Sequence, residues 1–203
     1  MKGLTPLGGA RTGRSSPLFR VPRKLREEVE GGIYHVFARG DNRRPIYLDD
    51  SDRRTYLSLL SRAVRTKNWR CLSYCLMANH VHLMLETPDA NLGAGMQQLQ
   101  SNYAQIFNKR HGGCGHVFQG RYGAVRVRSD EQLWTLVVYV ARNPVEAGLC
   151  EFPEAWAWGS HRSVVENRYP SWLDVPRLMS HLGGAGGEPR ERYAALVSDR
   201  ADC

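Results

Sequence analysis

Segments with the periodicity of strands and of helices follow one another along this chain in a single order. The order is strand, helix, strand, strand, helix, strand, and then a further helix, which is the split arrangement called ferredoxin-like. The first helix is predicted to begin after Asp50 or Ser51. We therefore predict an α+β domain: a ferredoxin-like antiparallel sheet (β-α-β-β-α-β) with an added C-terminal helix. The predicted strands are 32–40, 69–77, 80–86 and 122–128, and the later helices are 92–110 and 131 to about 143, the last ended or kinked by Pro144.

Charge indicates the class of partner. The 203 residues include 28 Lys or Arg against 20 Asp or Glu, for a formal net charge of +8. Most of these basic residues are arginines, whose planar guanidinium can form two hydrogen bonds to one phosphate. This excess favours a polyanion, with nucleic acid first and an anionic membrane surface second. No apolar run approaches the ~20 residues of a membrane-spanning helix, so we expect a soluble protein with no membrane partner.

The chain divides by composition into three parts. Residues 1–29 are predicted to be a basic disordered arm, because the first 26 residues contain seven Lys or Arg and no acid. Residues 30–182 are predicted to form the folded domain, and residues 183–203 a glycine-rich linker and a short polar tail with a short polar helix. An odd number of cysteines, five, without a C-x-x-C pair indicates reduced thiols in a cytoplasmic, nucleoid-associated protein.

Two histidines lie one residue apart at the start of the third predicted strand. Residues i and i+2 of a strand point to the same face, so His80 and His82 project together while Val81 faces the other way. Two neutral imidazoles form two corners of a divalent-metal site that still needs another ligand. The alternative, two half-exposed strand histidines, is about as common, so the pair alone does not decide.

The helix after the fourth strand supplies the missing groups. Tyr139 and Asn143 are four residues apart and share a helical face. The carboxamide of Asn143 is a plausible hard ligand for Mg²⁺ or Mn²⁺ beside two imidazoles, and Pro144 should place it at a helix end. Tyr139 can present a phenolic oxygen to a phosphorus bound there, since a nearby cation favours the phenolate.

Other residues compete for these roles. Tyr103 shares an amphipathic face with apolar residues and is expected in the core, and Tyr34 alternates as a buried strand residue would. Tyr122 lies in a basic strand and is a candidate for base stacking. His35 is interpreted as a structural histidine. Only Tyr139 has a carboxamide one turn away.

Several stretches together resemble a known family, the HUH tyrosine transposases that act on single-stranded DNA, in their REP-associated, IS200-like branch. The stretches run in family order over about residues 30 to 180. They are Tyr34-His35-Val36-Phe37-Ala38-Arg39-Gly40, Cys75 to Leu83, Phe118-Gln119-Gly120-Arg121-Tyr122, Tyr139 to Val145, Ala147-Gly148-Leu149, and Trp156 to His161.

The resemblance implies metal-dependent cleavage and rejoining of DNA strands by residues 30–182. It assigns His80 and His82 to the metal, Mg²⁺ or Mn²⁺, and Tyr139 to a 5′-phosphotyrosine link. Asn143 matches the position that completes the metal site, where many insertion-sequence relatives carry Gln. The implied partner is single-stranded or hairpin DNA at REP-type sites. The resemblance leaves open whether the chain is a monomer or a homodimer in which the tyrosine acts on the other subunit.

DNA contacts are predicted at the ends of strands and along the fourth strand. Phosphate contacts of this kind position a strand without specifying its sequence. The predicted DNA-binding residues are Arg39, Arg43, Arg44, Arg121, Tyr122, Arg126 and Arg128.

Three alternatives to a transposase-like enzyme remain at this stage. A non-catalytic, hairpin- or sequence-specific DNA-binding regulator could keep the same fold. An RNA-binding protein is disfavoured because the aromatic run typical of RNA-binding ferredoxin-like sheets is missing. A metal-dependent hydrolase would cleave DNA without a covalent intermediate.

Overall fold

The computed structural model describes residues 28–182 and 187–198. The predicted basic arm, except for its last two residues, and most of the predicted glycine-rich linker lie outside this range. The fold class and the order of strands and helices up to residue 146 are as predicted, and two short helices at 160–165 and 175–180 were not predicted.

Four antiparallel strands form one sheet in the order β2-β3-β1-β4, the strand order of the ferredoxin-like arrangement. β1 and β3 lie at the centre, with Phe37 paired to His82 and Arg39 paired to His80. β4 is an edge strand and is shorter than predicted, because Arg128 N–H donates to the side chain of Gln132 and turns the chain toward the next helix. The strands are β1 Gly32–Arg39, β2 Arg70–Leu76, β3 His80–Thr87 and β4 Gly123–Arg126.

Two groups of helices cover the two faces of the sheet. The face with His82 also carries Ser73 and Glu86, which bond to Ser160 of α4 and Arg177 of α5. α3 also contacts β2 and β3, and α6 packs on α3, α4 and α5. The other face is buried except at the edge strand β4, and it is covered by α1, which contacts β2, and by α2, which packs on α1. The helices are α1 Asp50–Thr66, α2 Leu92–His111, α3 Asp130–Glu146, α4 Ser160–Val165, α5 Val175–Ser180 and α6 Pro189–Ser198.

Of the two outcomes predicted at Pro144, an end or a kink of α3, the structure contradicts the end. The helix continues to Glu146, with Ala147 N–H donating to Asn143 O over 3.0 Å. A proline removes one helical hydrogen bond, and so close to the C-terminus the remaining bonds suffice to continue the last turn. Asn143 is therefore a buried residue inside α3, one turn from Tyr139, instead of a residue at its end.

The segment predicted as a polar tail contains α6, which packs into the core. Tyr193 is fully buried, and its hydroxyl donates to His161 Nδ1 over 2.9 Å. The other nitrogen of His161 donates to Glu154, which fixes this direction. Tyr193 and Val197, four residues apart and both fully buried, anchor this helix although its overall composition is polar.

Replacing Tyr193 by alanine is expected to lower the free energy of unfolding by about 3 kcal/mol, the cost of emptying a buried aromatic site. Tyr193→Phe should cost only about 1 kcal/mol, because it removes one hydrogen bond. Chemical denaturation measures both values, with the exposed Leu196 changed to alanine as the control. A cost below about 0.5 kcal/mol for Tyr193→Ala would restore the tail prediction.

Candidate active site

The two histidines of β3 and the two residues of α3 meet on one face of the sheet. His80 Nε2 lies 3.2 Å from Asn143 Oδ1, and the His82 ring lies edge-on to the Tyr139 ring, with 5.4 Å between centroids. The rings of His80 and His82 are perpendicular, 5.0 Å apart. The structure thus brings together Tyr139, His80, His82 and Asn143.

Asn79, which the sequence analysis did not single out, fixes the tautomer of His80. Its Nδ2 donates to the carbonyl of Arg43 over 3.0 Å, so its Oδ1 faces His80 Nδ1 at 2.7 Å. An amide oxygen only accepts, and His80 Nδ1 therefore carries the proton. The lone pair on Nε2 of the neutral ring points at Asn143 Oδ1, which is also an acceptor. A cation between these two atoms satisfies both.

His35 holds the ring of His82 in place through one hydrogen bond and a stacked contact. The Nε2 of His35 lies 2.9 Å from His82 Nδ1, and the two rings stack with centroids 5.1 Å apart. The remaining nitrogen of His82, Nε2, is buried without a hydrogen-bond partner. A buried, unpaired ring nitrogen is costly, which suggests that a ligand normally completes it. His35 is thus the buried, hydrogen-bonded histidine that the sequence predicts, and its partner is a residue of the candidate site.

Burial keeps all three imidazoles neutral. Desolvation lowers the pKa of His35 to about 4. Desolvation, followed by the charges of His35, His80 and Arg39, lowers the pKa of His82 to about 3. The pKa of His80 is also lowered, mainly by desolvation. Neutral rings near pH 7 leave their lone pairs available to a metal ion.

The atoms that could hold an ion are Nε2 of His80, Nε2 of His82 and Oδ1 of Asn143. In residues 28–182 and 187–198 no three His, Cys, Asp or Glu side chains form a metal-binding group, so the third ligand would be the carboxamide. The 3.2 Å between His80 Nε2 and Asn143 Oδ1 is close to the ~3.0 Å that separates neighbouring ligands of an octahedral ion with ~2.1 Å bonds. The residues present fit a divalent cation.

Tyr139 lies at the open side of this set. Its side chain is 37% exposed, and its ring stands nearly perpendicular to the rings of His35 and His82, with 6.0 Å between the centroids of Tyr139 and His35. A helix tyrosine that packs in the core would be covered, as Tyr103 is. The phenol of Tyr139 is accessible to a bound substrate.

Comparison with known proteins now identifies the family. The model of the family "Transposase IS200 like" matches residues 28–143, more than half of the chain. This chain belongs to the IS200-like transposase family. The chain is 25% identical over 169 residues to a candidate REP-associated tyrosine transposase of Haemophilus influenzae, covering 75% of this chain and 94% of that protein. The resemblance inferred from the sequence is confirmed.

A solved structure supports the fold of this IS200-like chain. It is a REP-associated tyrosine transposase bound to a REP hairpin, with a TM-score of 0.61 and 20% identity. The match covers 75% of this chain and 92% of that chain. None of the helices in the described part of the chain is long and apolar enough to cross a membrane.

The predicted DNA-binding residues of this transposase-family chain do not form one surface. Arg39 is exposed. It lies beside the histidines because it pairs with His80 on the neighbouring strand. Arg126 pairs with Tyr34, and its side chain therefore lies on the opposite face from His82. Tyr122 is 3% exposed, so its burial is at odds with the predicted role in base stacking. The other predicted residues, Arg43, Arg44, Arg121 and Arg128, are exposed.

Proposed function

We propose that this protein cleaves and rejoins single-stranded DNA through a 5′-phosphotyrosine intermediate with a divalent metal, at hairpin-associated sites. The observation that carries the proposal is that His80 Nε2 lies 3.2 Å from Asn143 Oδ1, beside the ring of His82 and the exposed side chain of Tyr139. The Nε2 of His82 is buried without a hydrogen-bond partner. The hairpin in the related structure and the net charge of +8 support DNA as the substrate.

His80, His82 and Asn143 would hold Mg²⁺ or Mn²⁺. When bound, such an ion polarises the scissile phosphate and stabilises the charge that develops on it. Asn79 would keep His80 in the tautomer that leaves Nε2 available to the ion, and His35 would hold the ring of His82 in its orientation.

Tyr139 supplies the nucleophile. Its phenolic oxygen forms a bond to phosphorus while the bond from phosphorus to the 3′ oxygen breaks, and the phenol proton balances the 3′-OH released. The link to the tyrosine conserves the energy of the broken phosphodiester. A 3′-OH can then attack the phosphotyrosine and rejoin the strands with no other energy source. Arg39, exposed next to His80, is placed to contact the flanking phosphates.

The test uses the full chain and labelled single-stranded DNA that contains a hairpin, with Mn²⁺ or Mg²⁺. We expect a protein–DNA adduct that survives denaturation, with Tyr139 as the modified residue by peptide mass spectrometry. Cleavage without any adduct would support a hydrolase instead. Hairpin binding without cleavage under all metal conditions would support a non-catalytic regulator.

Asn79→Ala is expected to weaken Mn²⁺ binding by about 10- to 100-fold, as loss of a group that orients a metal ligand typically does. Isothermal titration calorimetry measures this without DNA. Asn79→Asp restores an acceptor for His80 Nδ1–H and should recover most of the affinity. Equal affinities for wild type and Asn79→Ala would remove Asn79 from the site.

A further inference from the structure

Phe37 is an exposed aromatic residue beside the candidate active site. It lies in the central strand β1, yet its side chain is 41% exposed. Its ring centroid lies 5.5 Å from that of His35 and 6.4 Å from that of His82. Phenylalanine has no polar group to place in water, so exposure at this position leaves a large apolar face unpaired.

The neighbouring edge strand, β4, leaves space for this ring. Gly123 pairs with Phe37, and a Cβ atom at Gly123 would lie 2.3 Å from Phe37 Cζ and 2.4 Å from Cε2. The ring therefore lies over the backbone of Gly123. A side chain at position 123 would occupy the space that the ring fills. Val125, two residues further on the same face, is 44% exposed and extends the apolar surface.

We propose that Phe37, seated on Gly123 and flanked by Val125, is a stacking platform for one unpaired nucleobase next to the scissile phosphate. This inference rests on the proposed function, because it needs a DNA strand at His80 and His82. The ring is about one nucleotide away from His82, and the exposed Arg39 on the same face of β1 provides the positive charge that the adjoining phosphate needs. Aromatic rings stack on any base, so the platform positions the strand without reading its sequence.

The size of the effect follows from stacking on other single-strand binding proteins. Loss of one aromatic platform typically weakens binding by about 5- to 100-fold. Because the platform acts on one base, the loss should appear at one position of the DNA and nowhere else. This property separates stacking from a general loss of affinity.

The test measures binding by fluorescence anisotropy in a Tyr139→Phe background, where no cleavage occurs. Single abasic residues are placed in turn along the unpaired flanks of a hairpin oligonucleotide. We expect one position at which the abasic residue weakens binding by about 5- to 100-fold. Adding Phe37→Ala should weaken binding to intact DNA by the same factor and make that abasic residue neutral, while Phe37→Trp should restore the sensitivity.

Gly123→Ala and Ile106→Ala serve as matched variants. The added methyl group of Gly123→Ala displaces the ring and should reproduce the effect of Phe37→Ala, with no further loss when the two are combined. Ile106 is an equally exposed apolar residue on α2, and its replacement should leave binding unchanged.

Some results would overturn the inference. If Phe37→Ala binds intact DNA as tightly as its parent, and the abasic effect persists, the base stacks elsewhere. If Phe37→Ala changes the sedimentation of the free protein, the patch is a contact between copies of this chain. If the Tyr139→Phe parent itself binds no DNA, the proposed function fails, a result distinct from either of these.

Discussion

Tyr139→Phe is expected to abolish the covalent protein–DNA adduct and to reduce cleavage by about 10⁴-fold or more. Loss of the nucleophile has effects of this size in other enzymes with covalent intermediates, because no other group can take its place in line with the leaving oxygen. The measurement is a time course of adduct formation on a denaturing gel, under single-turnover conditions with saturating Mn²⁺.

The same variant should fold and bind DNA as the wild type does. Phenylalanine keeps the ring whose edge contacts His35 and His82, and a change at so exposed a position should alter the free energy of unfolding by less than about 0.5 kcal/mol. Tyr169→Phe, on the partly buried Tyr169 away from the histidines, is the control and should form adduct at the wild-type rate. Adduct formation by Tyr139→Phe would mean that another tyrosine is the nucleophile.

The groups of the candidate site that could be predicted from sequence are those related by local periodicity. His80 and His82 share a face because strands repeat every two residues. Tyr139 and Asn143 share a face because helices bring residues four apart together. Both relations hold for any strand or helix, whatever surrounds it.

The contacts that join His35 and Asn79 to the candidate site connect segments that are distant in the sequence. His35 reaches His82 only in the register that pairs Phe37 with His82. Asn79 acts through an amide orientation set by the backbone of Arg43. No local sequence pattern encodes either contact. A signal was available nonetheless, because metal-binding histidines usually bond to a further polar group and β1 contains a histidine, His35.

Exposure is a tertiary property that the local sequence pattern does not encode. Alternation along β4 directs Arg126 to the face opposite His82, and the ring of Tyr122 is buried. DNA contacts at these two residues stay predictions, while Phe37 is an exposed ring on the face of His82.

His82→Ala is expected to weaken Mn²⁺ binding by more than about 100-fold and to slow cleavage by about 10³-fold. It removes one of the ligand atoms outright, a larger loss than that of a residue which only orients a ligand. A metal acting on a phosphate supplies several kcal/mol, and about 10³-fold in rate corresponds to roughly 4 kcal/mol. Calorimetric titration of Mn²⁺ and the single-turnover cleavage rate measure the two effects separately.

A thermal unfolding series provides an independent reading of the same site. An ion that binds only the folded protein adds about 2.7 kcal/mol of stability at a concentration 100 times its dissociation constant. Mn²⁺ should therefore raise the melting temperature of the wild type and leave that of His82→Ala unchanged. His116→Ala, which changes an exposed histidine outside the site, should keep the full shift. If His82→Ala retains it as well, the buried Nε2 of His82 is not a metal ligand, and the stacked pair of His35 and His82 is a structural feature of the sheet.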